Sequence, residues 1–500
     1  MHHQLPSTSG YLSDIMASLP YFRPEIYLVA LFLVIIITDF LFDTDTWKPS
    51  RVIAILGILL VAYMDKSQFI LLLLNDGAKG HFIFNQMLIL TQPEVKFKLV
   101  IDLLAFILIV YSQWDNKLAA HKKGLSDFYT IIISSVFGLH LMVMGTSMVS
   151  IYIGIELVSI ASYLMVAYNT EGLFGTEAGL KYVLFGAASS AIMLFGISLL
   201  YAFTGNLNFF SPDFINNLNK VDPLGSSFGL LLVLVGIGFK LSFVPVHFWV
   251  PDVYEGAPTP VTAWLSTLPK IAGFALLINF LTPYIFFAKW KGFDFQLCFS
   301  IVAILTMIAG NFAAIMQTNV KRMLAYSSIG HTGFAIMALV TYNESGISAL
   351  IFYLAVYGIA SIGSLMLASY FANNAEVTTL DGYKGLGSKY PLASICFVIM
   401  LISLAGLPIT AGFTGKLFVF SSVYGVYTHG HNIWMLLLLI TGAITTVVSL
   451  FYYIKIPWSL FIKKSDVVVV SNKISQNLLI LASLLGFLII LLGLFPHLLY

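Results

Sequence analysis

Residues 236–270 read GIGFKLSFVPVHFWVPDVYEGAPTPVTAWLSTLPK, and this stretch decides the fold. It sets two lysines, Lys240 and Lys270, inside long apolar runs. A charge at the centre of a bilayer helix costs about 2.5–3.5 kcal/mol on insertion scales. Pro245 follows Lys240 by five positions and cannot donate to the Leu241 carbonyl; Pro269 immediately precedes Lys270 and withholds a donor from Leu265. Both lysines are therefore expected beside interrupted backbone. Inside a membrane such backbone is tolerated where it is buried in protein or lines a wet cavity.

Outward from this stretch, the 500 residues are 59% hydrophobic and only 10% charged. Soluble domains carry roughly 25% charged residues. Apolar runs of spanning length recur from end to end, so the expected fold class is all-α: a polytopic membrane protein of about fourteen transmembrane helices. A net charge of +2 gives no sign of a nucleic-acid partner. The first twenty residues lack a basic stretch followed by an apolar one, so no cleavable signal peptide is expected. Cys298 and Cys396 both fall in predicted spans, and two separated cysteines make neither a zinc nor an iron–sulfur site.

The second span, 50–64, reads as short, with 68–74 as an extension. The twelfth, 391–425, is too long for one straight crossing, and Pro408 is expected to break it ahead of Lys416. Alternate loops divide the lysines and arginines unequally. The richer side holds Lys48, Arg51, Lys117, Lys122, Lys123, Lys321, Arg322, Lys384, Lys389, Lys455, Lys463, Lys464 and Lys473. The positive-inside rule places that side in the cytoplasm and both termini outside. The chain divides into flanking helices (1–127), two five-span blocks (128–281 and 282–456) and a last helix (457–500). Each block carries a proline-broken penultimate helix with a lysine, Pro245 with Lys240 and Pro408 with Lys416. Matching broken helices in two halves point to a transporter core built from repeats.

Four cations fall within predicted spans: Lys181, Lys240, Lys270 and Lys416. Glu156 reads as the most deeply placed carboxylate. His140, His247 and His331 are intramembrane too, with Asp39 and Asp102 nearer the ends of their runs. Such a row suits proton transfer. Low dielectric disfavours a lysine's charged form, and a carboxylate within a few ångströms restores it, so movement of the carboxylate switches the proton. Glu156 with Lys240 or Lys181 is the expected switch, and His247 the expected relay from Lys240 to Lys270. Ser242, Thr410 and Thr414 could hold connecting water. The bland readings are that Lys181 snorkels to the interface, that His140 bridges helices and that Asp102 is a structural anion. Gly415–Lys416 does not complete a phosphate loop.

Three runs carry a resemblance: HFWVPDVYEGAPTPVTAWLSTLPK from His247, NVKRMLAYSSIGHTGFAIMAL from Asn319 and LAGLPITAGFTGKLFVF from Leu404. They resemble the antiporter-like subunits of the proton-translocating NADH:quinone oxidoreductase, respiratory complex I. PDVYEGAPTPV is more similar to subunit N (subunit 2) than to L or M, and a lysine at position 416 fits N where M typically has glutamate. No counterpart of L's long lateral helix is expected. The resemblance covers roughly residues 100–460; the tail before Tyr27 and residues 67–95 depart from it. It implies two inverted five-helix repeats plus flanking helices, and proton translocation through Glu156, Lys181, Lys240, His247, Lys270, His331 and Lys416, driven by quinone reduction elsewhere in the complex. It implies no cofactor in this chain, with NADH, FMN, iron–sulfur clusters and quinone held by partner subunits. The implied partners are the other membrane-arm subunits, including M and the small subunits K, J and A, with membrane lipid around them. The implied location is a bacterial inner (plasma) membrane, ahead of a mitochondrial inner membrane or a thylakoid. Two other readings stay open: a multisubunit cation/proton antiporter subunit, and a non-transporting membrane scaffold.

Overall fold

The computed structural model describes residues 8–42, 49–75, 80–119, 124–168, 173–287, 290, 292–464 and 476–499. Lys48, Lys122, Lys123 and Lys473, four of the cations that set the expected orientation, lie outside the described residues. The N-terminal part holds α1 (Arg23–Leu41), α2 (Ser50–Asn75), a hairpin of β1 (His81–Ile83) and β2 (Leu88–Leu90), and α3 (Gln92–Ser112). A run of helices follows: α4 (Ser126–Met144), α5 (Met148–Val166), α6 (Leu173–Thr204), α7 (Pro223–Leu241), the short α8 (Val250–Gly256) and α9 (Thr259–Thr282). The second run is α10 (Phe295–Ile315), α11 (Val320–Leu339), α12 (Glu344–Ala375), α13 (Pro391–Ala405), α14 (Ala411–Gly430) and α15 (Ile433–Tyr453), and α16 (Gln476–Leu494) ends the chain.

The protein is an all-α membrane protein. Among the described residues, eleven helical stretches are long and apolar enough to cross a bilayer. The outer surface is apolar, with Phe40, Leu56, Phe195 and Ile444 exposed, while Glu25, Asp65, Lys98, Asp102, Lys240, Lys270 and Lys416 lie inside. That inversion is what a lipid solvent demands. At the centre sit α9 and α12, whose apolar stretches are almost wholly enclosed by protein. Close helix approach depends on small residues here. A Cβ on Gly310 would stand 2.3 Å from the Gly330 backbone nitrogen, so α10 and α11 touch backbone to backbone.

The second span is not short. The α2 helix runs unbroken through Asp65 and Gln68, because both side chains meet Lys98 on α3 and need not end the helix to reach water. Residues 80–91 form the hairpin and the N-cap of α3, where Thr91 and Glu94 make a capping box. The breaks expected at Pro245 and Pro408 are present, in the penultimate helix of each run; the interruption expected beside Lys270 is not, because α9 continues as helix through Pro269 while enclosed by its neighbours. The α7 helix ends at Leu241 with Ser242 in the left-handed region at φ 62°. The chain then runs irregularly to Val250, so the helix stops ahead of Pro245. The α13 helix ends at Ala405, Gly406 turns at φ 83°, and α14 starts at Ala411.

Candidate functional site

Lys240, Lys270 and Lys416 are each at least 96% buried, by relative exposures of 4%, 2% and 4%. Their surroundings differ. Lys240, in the last turn of α7, has no hydrogen-bond partner. Its ammonium faces the rings of Tyr163 on α5 and Tyr182 on α6, 5.8 and 5.7 Å from their centroids. Tyr182 stacks on Trp249, whose indole donates to the Phe239 carbonyl over 3.2 Å and so closes part of the broken helix end. An aromatic face attracts a cation without fixing its proton.

Lys270, on α9, donates to Ser328 Oγ (2.6 Å), the Ser328 carbonyl (3.0 Å) and Thr332 Oγ1 (3.1 Å) on α11. Thr332 Oγ1 also lies 3.0 Å from the Leu241 carbonyl, so one hydroxyl ties the α7 break to Lys270. The Tyr357 hydroxyl, from α12, is 2.8 Å from Ser328 Oγ. His331 packs its ring on Tyr357, with centroids 4.8 Å apart. Its Nδ1 is 2.7 Å from the Tyr353 hydroxyl and its Nε2 3.1 Å from that of Tyr453.

A cavity of about 10 Å³ lies between His331, Tyr353, Tyr357, Ser403 and Lys416. That volume is at the lower limit for one water, and the surface facing it is mostly apolar, so it is a narrow gap between these polar side chains. On its far side Lys416 donates to the Ala405 carbonyl over 2.8 Å, and its ammonium lies 4.9 Å from the Phe334 ring centroid. From Lys270 to Lys416, buried groups that can give and accept a proton thus follow one another.

Several expectations need correction. Glu156 is not the most deeply placed carboxylate: it is half-buried on α5, whereas Glu25, Asp65 and Asp102 have no exposed surface. It makes no ion pair with Lys240 or Lys181; its Oε1, like Lys240 Nζ, has no partner, because Lys240 points to the tyrosine rings. Lys181 is about one-third exposed and stands in a separate ion-pair network. It meets Glu177 and Asp252 at 2.8 Å each, and Asp252 in turn meets Arg322 at 2.8 Å. His247 is half-buried in the α7–α8 connection, Nδ1 has no partner, and no contact joins it to Lys240 or Lys270 among the described residues. Thr410 and Thr414 give their hydroxyls to the Leu407 and Gly493 carbonyls. Lys98, on α3, is fully buried as well.

Sequence reasoning passed over Ser327, Ser328, Thr332, Tyr353, Tyr357 and Tyr453. The signal was available. Ser327, Ser328, His331 and Thr332 repeat at helical spacing on α11, and Tyr353 and Tyr357 lie one turn apart on α12, so each set is a polar stripe within an apolar run.

Two broken helices, each carrying a buried lysine, and a polar row between central helices that starts at Lys270 and ends at Lys416 define an antiporter-like membrane protein. Residues 145–449 match the family described as NADH:quinone oxidoreductase/Mrp antiporter, TM, and the chain belongs to that family. It is 34% identical over 505 residues to NADH-quinone oxidoreductase subunit N 2 of Chloroherpeton thalassium, covering 97% of this chain and 95% of that protein. A chain of respiratory complex I from Thermus thermophilus with bound aureothin superposes with a TM-score of 0.74 at 26% identity, covering 95% of this chain and 97% of that one. A chain of the Mrp complex from Dietzia sp. DQ12-45-1b shares the fold, with a TM-score of 0.77 at 17% identity and 96% coverage of each.

Proposed function

We propose that this chain is the proton-translocating, N-type subunit in the membrane arm of an NADH:quinone oxidoreductase, moving protons under the drive of quinone reduction elsewhere in the complex. The observation that carries this is the row from Lys270 through Ser328, Tyr357 and His331 to the cavity at Lys416. A scaffold would bear the cost of three buried lysines with no return. Lys240 is the entry-side group, held at tyrosine faces beside a helix break. Glu156 is the carboxylate that pairs with it in an alternate state, and the separated arrangement described above is the open one. His247 relays when the α7–α8 connection moves, and Lys181 acts at the entrance through Asp252. No redox cofactor belongs to this chain; NADH, FMN, iron–sulfur clusters and quinone belong to its partners, which include subunits M, K, J and A. The richer basic side faces the cytoplasm of a bacterium, and α3, α11 and the α13–α14 pair cross the membrane with the eleven apolar stretches, giving about fourteen crossings.

The identities reported above favour this reading over a free-standing cation/proton antiporter, since the subunit N relative matches at twice the identity of the Mrp chain. Affinity purification of the chain from its native membranes tests it. Flavin- and iron–sulfur-bearing proteins with NADH:quinone activity are expected in the eluate. Recovery with only cation-antiporter subunits would overturn the reading.

A further inference from the structure

A second group of buried charges lies far from the lysine row in sequence. It is built from Glu25 on α1, Asp65 on α2, Lys98 and Asp102 on α3, and His140 on α4, all with no exposed surface. All five precede the segment that matches the family. Lys98 Nζ is 2.7 Å from Glu25 Oε1 and 2.6 Å from Asp65 Oδ1, with Gln68 Oε1 at 3.4 Å. His140 is held between two carboxylates, Nδ1 at 3.0 Å from Glu25 Oε1 and Nε2 at 3.2 Å from Asp102 Oδ1. No other charged side chain among the described residues reaches ion-pair distance of these five. Asn279 of α9, packed against α3 and α4, is uncharged and donates to the Val143 carbonyl.

The charges in this group do not balance. An imidazole that faces a carboxylate oxygen at each nitrogen must be imidazolium, or one of the two carboxyls must carry the proton. Even with His140 and Lys98 both positive, two cations meet three carboxylates. An uncompensated carboxylate in an apolar interior takes up a proton. Carboxyl oxygens of Asp65 and Asp102 and a ring nitrogen of His140 lie within 4.8 Å of one another. The second oxygens of Asp65, Asp102 and Glu25 are buried without a hydrogen-bond partner. Two carboxylates that close disfavour each other's charge, so one of the two takes the proton. A divalent metal fits poorly, because the Lys98 ammonium already stands 2.6 Å from Asp65.

We propose that Glu25, Asp65, Lys98, Asp102 and His140 form a second buried proton-binding site, which takes up one exchangeable proton between the Asp65 and Asp102 carboxyls. It precedes the segment that matches the family and joins the three N-terminal helices to α4, toward the helix ends that carry the β1–β2 hairpin. A cavity of about 430 Å³, lined by Leu72, Gln92 and Lys96 among others, lies two turns or less along α2 and α3 from the cluster. The site needs no turnover of the lysine row to be observed.

The test is infrared difference spectroscopy of the whole purified complex in lipid, between two pH values, in light and heavy water. The wild type is expected to show a protonated-carboxyl stretch that titrates and shifts on deuteration. Asp65→Asn should abolish it, and Asp65→Glu, which keeps the acid if the amide fails to assemble, should move its frequency. Lys98→Met removes one cation and should add a second protonated carboxyl. A wild-type spectrum with no titrating carboxyl, or one unchanged in frequency and amplitude by Asp65→Glu, would overturn the proposal and make the cluster a fixed brace. Because the measurement requires no NADH oxidation, its failure is separable from a failure of the proposed pumping function.

Discussion

The Lys416 ammonium donates to the Ala405 carbonyl over 2.8 Å, so a cation on one half of a broken helix closes the open end of the other half. The lysine holds the break together and ends the polar row with the same atom. Lys416→Met leaves a buried acceptor without a partner, at a cost of about 1–3 kcal/mol. Lys416→Arg can restore the bond, but arginine stays protonated near neutral pH. The arginine variant is expected to assemble on native gels with near-normal yield and to lose most proton pumping in reconstituted vesicles. Wild-type pumping by that variant would remove Lys416 from the path.

The turn between those halves predicts a packing effect. Gly406 sits at φ 83°, and a Cβ there would stand 2.7 Å from Lys416 Cδ. Gly406→Ala combines left-handed strain of about 1–2 kcal/mol with pressure on the lysine stem. The thermal midpoint of the assembled complex should fall, and pumping should fall further than NADH oxidation measured with an artificial acceptor that bypasses the membrane arm. Equal loss of both would show that the glycine serves stability alone.

The sequence revealed the two breaks and the three deep lysines because each is a local anomaly: a charge or a proline in an apolar run. It hid the pairings. Glu25, Asp65 and Lys98 carry no mark of one another along the chain, although each is costly alone in a membrane. Their shared contacts remove that cost, and contacts between α1, α2, α3 and α4 have no signature along the chain. Glu156 misled for the same reason, since its run is apolar but its face of α5 is only half covered. The hydroxyls of Ser328 and Tyr357 were visible as stripes, yet nothing in one sequence says which stripe faces Lys270.

Orientation is open to labelling. Asn219 and Ser388 are exposed on opposite sides of the expected topology. In a background with Cys298 and Cys396 replaced by serine, Asn219→Cys should react with an impermeant thiol reagent in intact spheroplasts, and Ser388→Cys only after permeabilisation. The reverse pattern would invert the orientation given by the basic loops.

The last prediction concerns Lys270 and the hydroxyls around it. Ser328 Oγ accepts from the ammonium at 2.6 Å and meets the Tyr357 hydroxyl at 2.8 Å, which makes Ser328 the link from Lys270 toward His331 on the path we propose. Ser328→Ala removes that link but leaves Lys270 bonded to the Ser328 carbonyl and Thr332. The lysine therefore stays held, and the complex should assemble. A hydrogen bond to a charged group contributes about 1.5–3 kcal/mol. If that amount appears in the barrier to transfer, pumping slows by roughly tenfold or more. Ser328→Thr keeps a hydroxyl at the same place and should recover much of the rate. Tyr357→Phe breaks the next link while preserving the ring that packs on His331, and should resemble Ser328→Ala. The double variant then decides between a series path and two separate routes. Links in series lose little more together than alone, whereas parallel routes lose the product of the two. Pumping and NADH oxidation measured in the same vesicles supply the comparison. Multiplicative loss in the double variant would show that Ser328 and Tyr357 do not lie on one path.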